Sequence, residues 1–446
     1  MSFNRRSSED QCRQAVEKKS AARRAIDAQI LQDAERLITE RFILALLLAA
    51  FLVRLAVRIA FGEEYFWTSG YRFYYHMAEN FVSCKGFCFG TTRPPLYPMF
   101  LALSILAGEN WLLIVVPQAL IGSGTALCAF LIGREIFNPT VGAIACAITA
   151  FYPYYVMHDT ALQETGMATF CIAISVWLLL RANRLDRNFD WFLSGLALGS
   201  VALVRISVTP IAAVAVLWTV IWGAQGHAWK RLWKSSILLF AVMLMALPWL
   251  AWTYHVTGEP VLSTEVGYAL WAGNNPETFS HYPVESIDRS TEEALLKMAE
   301  SDEAALARLA DDKVAESNWL AWHAWAFIRA NPWLTVRGAI RKIGAGFSPQ
   351  LNPVRNPFVE TVYAITYVPV ALLGIYGMYL ARRQRATILV ALMFLAFMCV
   401  TAVFFAHTSH RSYLDLYWIV FAASVVSTFI GVPSEKFTAI GRASLS

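Results

Sequence analysis

Long apolar runs separated by polar links dominate the pattern along the chain. A helix needs about 20 mostly apolar residues to cross a hydrocarbon core of about 30 Å, and such runs recur from Ile43 to Ile430. A spanning β-barrel would instead show short segments of alternating polarity. The pattern predicts an all-α, polytopic integral membrane protein with about ten (up to twelve) transmembrane helices. The expected spans are 43–61, 112–133, 141–157, 162–181, 191–205, 207–223, 235–253, 360–380, 387–406 and 412–431.

The charges of the links predict the orientation of these spans. Cytoplasmic loops of membrane proteins carry an excess of Lys and Arg. All the strongly basic short links fall on one side of the membrane if the N-terminus is cytoplasmic. These links are at Arg134, 181–187, 227–234 and 382–385. Two long links then lie outside the cytoplasm, and because loops longer than about 15 residues are usually functional, we expect the chemistry there.

This orientation divides the chain into segments. Residues 1–41 are polar and heavily charged, and the first apolar run is too long for a signal-peptide core, so no cleavable signal is expected. The expected segments are a cytoplasmic N-terminal segment (1–41), an N-terminal transmembrane bundle (42–253) with the first external loop (62–111), an external loop domain (254–359), C-terminal transmembrane helices (360–431) and a cytoplasmic tail (432–446).

Composition agrees with a membrane fold and excludes one class of partner. The chain is 57% hydrophobic and 15% charged, against roughly 25% charged residues in soluble domains. Its net charge of +5 is modest, and no soluble face with interleaved basic and aromatic residues is expected. Nucleic acid is therefore not an expected partner.

Several short motifs follow one another along the apolar bundle and its loops. They are YYHMAEN (74–80) with GF (86–87), RPPLYPMFLA (93–102), FYP (151–153), Glu164, GLALG (195–199) with VR (204–205), PW (248–249), Gly267 with GNNP (273–276), and HRSY (410–413). In this order they resemble the GT-C superfamily of membrane glycosyltransferases, specifically the bacterial branch related to protein mannosyltransferases and aminoarabinose transferases. The resemblance covers residues 43–431.

The resemblance implies an activity, a location and partners. Such enzymes move a sugar from a polyprenyl-phosphate donor to an acceptor at the external membrane face, usually with inversion of the anomeric centre. It implies a multi-pass protein of the bacterial inner membrane whose catalytic face is periplasmic. The implied partners are the polyprenyl-phosphate-linked sugar and membrane lipid, with the acceptor left open.

The chain departs from the family pattern at the catalytic acid. Family members carry an acidic residue in the first external loop at the position occupied here by Gly70. The nearest carboxylates, Glu63 and Glu64, directly follow the first span. Desolvation near the interface raises a carboxylate pKa toward the range that suits a general base. They are therefore catalytic candidates, with a pair of solvated charges at the end of a span as the alternative.

A second group of candidates lies where the third and fourth spans meet. His158, Asp159 and Glu164 are close in the sequence, and Asp159 and Glu164 are further catalytic candidates. His158 could orient the acceptor, and the group could bind a divalent cation, although no spaced ligand motif identifies a metal. Capping of the following helix explains Asp159 equally well.

Three arginines are candidates for binding the donor phosphate. Arg93 precedes two prolines, while Arg205 and Arg411 lie at the external ends of spans, level with a lipid-linked phosphate. Guanidinium groups bind phosphate in a bidentate manner. The motif positions Asn274 and Asn275 complete the expected substrate-binding residues.

Four further residues are expected to be structural. Arg54 and Arg58 share one face of the first span, and because charge within a membrane is costly, we expect Arg54 to face the bundle in an ion pair. Cys84 and Cys88 share the first external loop, and their separation permits a disulfide in an oxidising periplasm.

Two other functional classes remain open. The absent acid at Gly70 favours a non-catalytic lipid-binding or assembly protein on the same scaffold. A transporter is the third reading, but few charges interrupt the apolar runs and no internal repeat is evident.

Overall fold

The structure is a computed structural model that describes residues 40–84, 90–108, 110–223, 226–309 and 312–431. The predicted cytoplasmic tail and most of the predicted N-terminal segment lie outside these residues. Every regular element within them is a helix. The prediction of an all-α, polytopic membrane protein is confirmed.

The helices are numbered in chain order. They are α1 (Glu40–Ser69), α2 (Arg72–Ser83), α3 (Leu96–Ala107), α4 (Leu112–Ile136), α5 (Pro139–Phe151), α6 (Pro153–His158), α7 (Thr165–Leu185), α8 (Asn188–Val204), α9 (Pro210–Ile221), α10 (Ala228–Thr257), α11 (Val266–Ala272), α12 (Ile287–Leu309), α13 (Lys313–Ala330), α14 (Pro332–Gly346), α15 (Pro357–Leu380), α16 (Arg385–Val403) and α17 (Thr408–Phe429), with a 3-10 turn at Ile206–Val208.

Seven of the described helices are long and apolar enough to cross a membrane: α1, α4, α7, α10, α15, α16 and α17. Each coincides with a predicted span. The other three predicted spans coincide with the shorter apolar helices α5, α8 and α9. A fourth short apolar helix, α3, lies within the predicted first external loop.

The predicted span 141–157 is wrong as one continuous helix. Helix α5 ends at Phe151, Tyr152 is extended with ψ near 114°, and α6 starts at Pro153. Proline has no amide hydrogen to donate and disfavours helical geometry in the residue before it, so the chain breaks there. Beyond α6, the carbonyl oxygen of Leu162 accepts from the amide of Tyr71 in the predicted first external loop at 2.8 Å.

The helices pack around α17, which is the most enclosed of the seven long helices. Aromatic contacts join it to its neighbours, as between Phe137 and Phe421, whose ring centroids are 5.6 Å apart. Small residues allow α8 to approach α10: a Cβ at Gly195 would lie 2.4 Å from the carbonyl oxygen of Leu238. Such close approach between helices is typical of membrane proteins.

The predicted external loop domain is folded into the helices α11 to α14. Helices α13 and α14 expose large apolar side chains, among them Trp322, Trp325 and Trp333. Tryptophan is enriched at the boundary between lipid and water, so these helices have the composition of interfacial helices.

The predicted orientation of the helices can be tested by labelling engineered cysteines from outside the cell. A membrane-impermeant maleimide is expected to label Glu259→Cys in intact cells, because residues 254–359 are predicted to be external. Glu259 is exposed. Arg383→Cys, at an exposed position in a basic link, should react only after lysis. The reverse pattern, in a background without other reactive thiols, would invert the topology.

Candidate functional site

The candidate site lies where the two predicted external loops meet. The amide of Thr264 donates to the carbonyl oxygen of Thr91 at 2.9 Å, and the hydroxyl of Ser263 donates to the carbonyl oxygen of Thr92. These bonds bring the segment before α3 against the segment before α11. They place Arg93 opposite Glu265, with 2.8 Å between Nη1 and Oε2.

The chain between α6 and α7 forms another wall of the site. The amide of Tyr71 donates to the carbonyl oxygen of Leu162 at 2.8 Å, and Nε2 of Gln118 donates to that of Ala161 at 2.8 Å. These bonds fix the short segment that ends at Glu164, directly before α7.

Gly70 is part of this contact. A Cβ at this position would lie 2.5 Å from Cβ of Leu162 and 3.0 Å from the carbonyl oxygen of Phe66. No larger side chain fits without moving the backbone. The position at which the resemblance implies an acid is therefore closed by packing here.

Glu164 is the buried carboxylate of the site. Its Oε1 lies 3.6 Å from Nε of Arg205, and the two side chains are only 7% and 13% exposed. Its Oε2 is buried without a hydrogen-bond partner among the described residues. Arg205 caps the end of α8 in an extended conformation. Glu164 thus lies next to the cation of Arg205, and a hydrogen bond with Tyr74 contributes to the raised pKa of that tyrosine.

Arg93 and Glu265 form the second, more accessible ion pair. The guanidinium of Arg93 also lies over the ring of Phe73, 5.0 Å from its centroid. Burial raises the pKa of Glu265 to about 7 although Arg93 opposes the shift, and the negative charges of Glu164 and Asp288 act in the same direction as burial. Glu265 is therefore partly protonated near neutral pH.

Other polar groups surround the two pairs. Burial and the charge of Glu164 raise the pKa of Tyr74, so its hydroxyl keeps its proton. Burial and the nearby Arg205 lower the pKa of His407 to about 4, although Asp288 opposes this, so the imidazole is neutral near pH 7. The site thus combines two arginines, two glutamates and neutral hydrogen-bonding groups.

Two other predicted site residues, Asp159 and His158, are engaged elsewhere. Asp159 is buried and its Oδ2 accepts from Nε of Arg54 at 2.8 Å, which places Arg54 in an ion pair. His158 stacks on Tyr154 and its Nδ1 lies 2.6 Å from Nε2 of Gln163. These contacts favour structural positions for both; their functional assignments stay predictions.

Arg58, Arg411 and the two asparagines are also held by the protein. Arg58 donates to the hydroxyl of Thr160 and the carbonyl oxygen of Met157. Arg411 is fully buried and pairs with Asp415 at 2.9 Å. The side-chain amides of Asn274 and Asn275 donate to backbone carbonyl groups. The structure brings Arg93, Arg205 and Glu164 together, whereas Arg411, Asn274 and Asn275 are bonded to other groups.

The remaining predicted residues lie in or near α1 and α2. Glu63 and Glu64 are exposed on α1, and Oε1 of Glu63 accepts from Nε1 of Trp67 at 3.2 Å. Cys84 is disulfide-bonded. Cys88 lies outside the described residues, so the pairing of the two stays a prediction.

The expected divalent cation has no assembled donor set in the described part of the chain. There, no group of three or more His, Cys, Asp and Glu side chains is placed to hold a metal ion. The residues of the predicted cluster contact separate partners instead: His158 contacts Gln163, Asp159 contacts Arg54, and Glu164 contacts Arg205. The described residues therefore do not assemble a donor set that fits a metal ion.

Sequence reasoning missed Glu265, Asp288 and His407. Glu265 lies two residues before the quoted motif position Gly267, and His407 lies three before His410. Their nearness to those motifs was the available signal. Nothing local in the sequence indicates that Asp288, at the start of α12, faces the same site.

Comparison with known proteins gives one family match. Residues 92–252 match the family described as dolichyl-phosphate-mannose-protein mannosyltransferase. The matched range includes Arg93, Glu164 and Arg205. No curated protein sequence matches the chain.

The fold is similar to solved structures of the oligosaccharyltransferase of Archaeoglobus fulgidus. The apo form has a TM-score of 0.52 and 13% identity, and the match covers 90% of this chain and 52% of that one. The complex with Zn and sulfate has a TM-score of 0.50 and 13% identity, covering 89% and 51%. A third structure, tethered by a disulfide bond to an acceptor peptide containing the NVT sequon, has a TM-score of 0.50 and 13% identity, covering 88% and 52%.

The chain therefore spans about half the length of these solved proteins, and identity this low shows the fold alone. The family match is independent of the fold comparison and covers the segment that carries Arg93, Glu164 and Arg205. Together they show that residues 92–252 are similar to this mannosyltransferase family and that the fold is similar to that of a membrane oligosaccharyltransferase.

Proposed function

We propose that this protein transfers a sugar from a polyprenyl-phosphate donor to an acceptor at the periplasmic face of a bacterial inner membrane, with inversion. The observation that carries the proposal is the buried Glu164, paired with Arg205 and close enough to act electrostatically on Arg93. Cations for a leaving phosphate and a carboxylate for an acceptor proton are the groups that this reaction requires.

The reaction assigns each group a task. The acceptor oxygen or nitrogen attacks the anomeric carbon from the side opposite the phosphate, and the bond from that carbon to the phosphate oxygen breaks. The phosphate leaves with the electron pair, and Arg93 and Arg205 stabilise its negative charge. Glu164 takes the proton of the acceptor on a carboxylate oxygen. Attack from the opposite side inverts the anomeric centre.

Glu164 is a better candidate for the base than Glu63 or Glu64. It lies beside both arginines, whereas Glu63 and Glu64 are exposed on α1. Catalysis by Glu63 or Glu64 stays a prediction.

The comparisons support the substrate classes. The family description names a dolichyl-phosphate sugar and a protein acceptor, and one similar structure holds an acceptor peptide. We therefore take a polyprenyl-phosphate-linked sugar as the donor and a peptide or protein as the first acceptor to test. The external, periplasmic position follows from the basic links.

The closed position at Gly70 favours a second candidate function. A protein without the usual acid could bind the lipid-linked donor and assist another enzyme without turnover. Tight lipid binding with no transfer from any donor would support this alternative.

Arg205→Gln is expected to weaken donor binding about tenfold or more, because a charge-assisted bond to phosphate contributes roughly 1.5–3 kcal/mol. Binding and transfer of a polyprenyl-phosphate sugar would be measured with purified protein. Arg289→Gln is the matched control, since Arg289 is exposed on α12 and pairs with Glu285. Equal donor affinity of Arg205→Gln and wild type would contradict phosphate binding by Arg205.

A further inference from the structure

Arg93 is already paired with an anion in this structure. Its Nη1 lies 2.8 Å from Oε2 of Glu265, a distance typical of charge-assisted bonds to carboxylate or phosphate. We propose that Glu265 occupies the place on Arg93 that the donor phosphate takes, so that the phosphate binds by displacing this carboxylate. The inference rests on the proposed function, in which Arg93 binds the phosphate.

The ion pair with Glu265 engages only one nitrogen of the Arg93 guanidinium. Nε of Arg93 is buried without a hydrogen-bond partner among the described residues, while Nη1 faces Glu265. A guanidinium presents its donors in a planar fork that a phosphate can engage at two positions. A phosphate can therefore make more bonds to Arg93 than the single one that Glu265 makes.

Arg93 has other contacts that hold it in place. Its guanidinium lies over the ring of Phe73, and the two residues before it are bonded to Ser263 and Thr264. Pro94 restricts the backbone of Arg93 as well. Removal of the Glu265 carboxylate should therefore leave the guanidinium near its present position.

The surroundings of Glu265 disfavour its negative charge. Glu164 from the start of α7 and Asp288 from α12 act on it as like charges, Tyr268 of α11 is close by, and Arg93 is the opposing cation. Like charges around a partly buried carboxylate raise its pKa and disfavour its charged form. An incoming phosphate would thus compete with a weakly held carboxylate.

The test compares lipid-phosphate binding among variants of the full chain. The probe is undecaprenyl phosphate in detergent micelles, with the corresponding polyprenol as the control without phosphate. Glu265→Gln is expected to bind undecaprenyl phosphate up to about fivefold more tightly than wild type. The ion pair of Arg93 with Glu265, which competes with phosphate binding, is partly exposed and therefore worth about 1 kcal/mol or less.

Glu259→Gln is the matched control, since it removes the same charge from an exposed position in the same segment. It should bind like wild type. The gain from Glu265→Gln should disappear when Arg93→Gln is added, because the competition requires both side chains. Glu265→Asp, which keeps the charge on a shorter side chain, should also bind more tightly than wild type.

The outcomes separate this inference from the proposed function. If wild type prefers undecaprenyl phosphate to the polyprenol but Glu265→Gln and Glu265→Asp bind equally or more weakly, Glu265 positions Arg93 and the inference alone fails. If wild type shows no preference for the phosphate, the proposed donor is wrong and the inference fails with it.

Discussion

Protein carrying Glu164→Gln is expected to transfer sugar about 100-fold more slowly than wild type, or slower still, while donor binding changes far less. Glutamine keeps the size of the buried side chain but cannot accept a proton. Loss of a general base acts on the transition state and leaves ground-state affinity largely intact. Single-turnover transfer from a polyprenyl-phosphate sugar, with donor affinity measured separately, would show the difference.

The double variant Glu63→Gln with Glu64→Gln is the matched control for this experiment. Both residues are exposed on α1, so their replacement should leave turnover near that of wild type. Slow transfer by the double variant, together with normal transfer by Glu164→Gln, would show that Glu63 or Glu64 on α1 is the general base. Slow transfer by all of these variants would indicate that carboxylates from both places contribute.

Asp159→Ala is expected to destabilise the protein by about 3–5 kcal/mol, because it leaves Arg54 as a buried charge without its partner. Both side chains of this pair are almost completely buried. Arg54 also donates to the carbonyl oxygen of Ala150 at 2.8 Å, so the pair connects α1, α5 and the segment before α7. The thermal unfolding midpoint in detergent should fall by about 3–5 °C, given an unfolding entropy of about 2.1 cal/mol/K per residue.

The control replaces both partners with apolar residues, as Arg54→Met with Asp159→Leu. Replacement of a buried ion pair by apolar side chains is often neutral or stabilising, so the double variant should recover most of the lost stability. If Asp159→Ala were as stable as wild type, Arg54 would have to bond to another protein group or to water.

The predicted and observed helices show how far local patterns extend. All seven long helices follow from apolar runs of sufficient length, because a helix in lipid must bond its own backbone and expose apolar side chains. Pro153 is a local signal for the helix break at Tyr152. Because the residues on both sides of it are apolar, the pattern still predicted one continuous span. Gly195 and Gly199 mark a close helix contact, and the sequence alone could not say that α10 is the partner.

The sequence by itself determined the fold class and several of the chemical groups of the site, including Glu164, Arg93 and Arg205. The tertiary structure alone decided which of them meet. The pairs of Glu164 with Arg205 and of Arg93 with Glu265 join segments far apart in the chain, and no local pattern encodes such a contact. The same holds for the pair of Asp159 with Arg54. Buried charge must be paired within a membrane, but only the packing of the helices selects each partner.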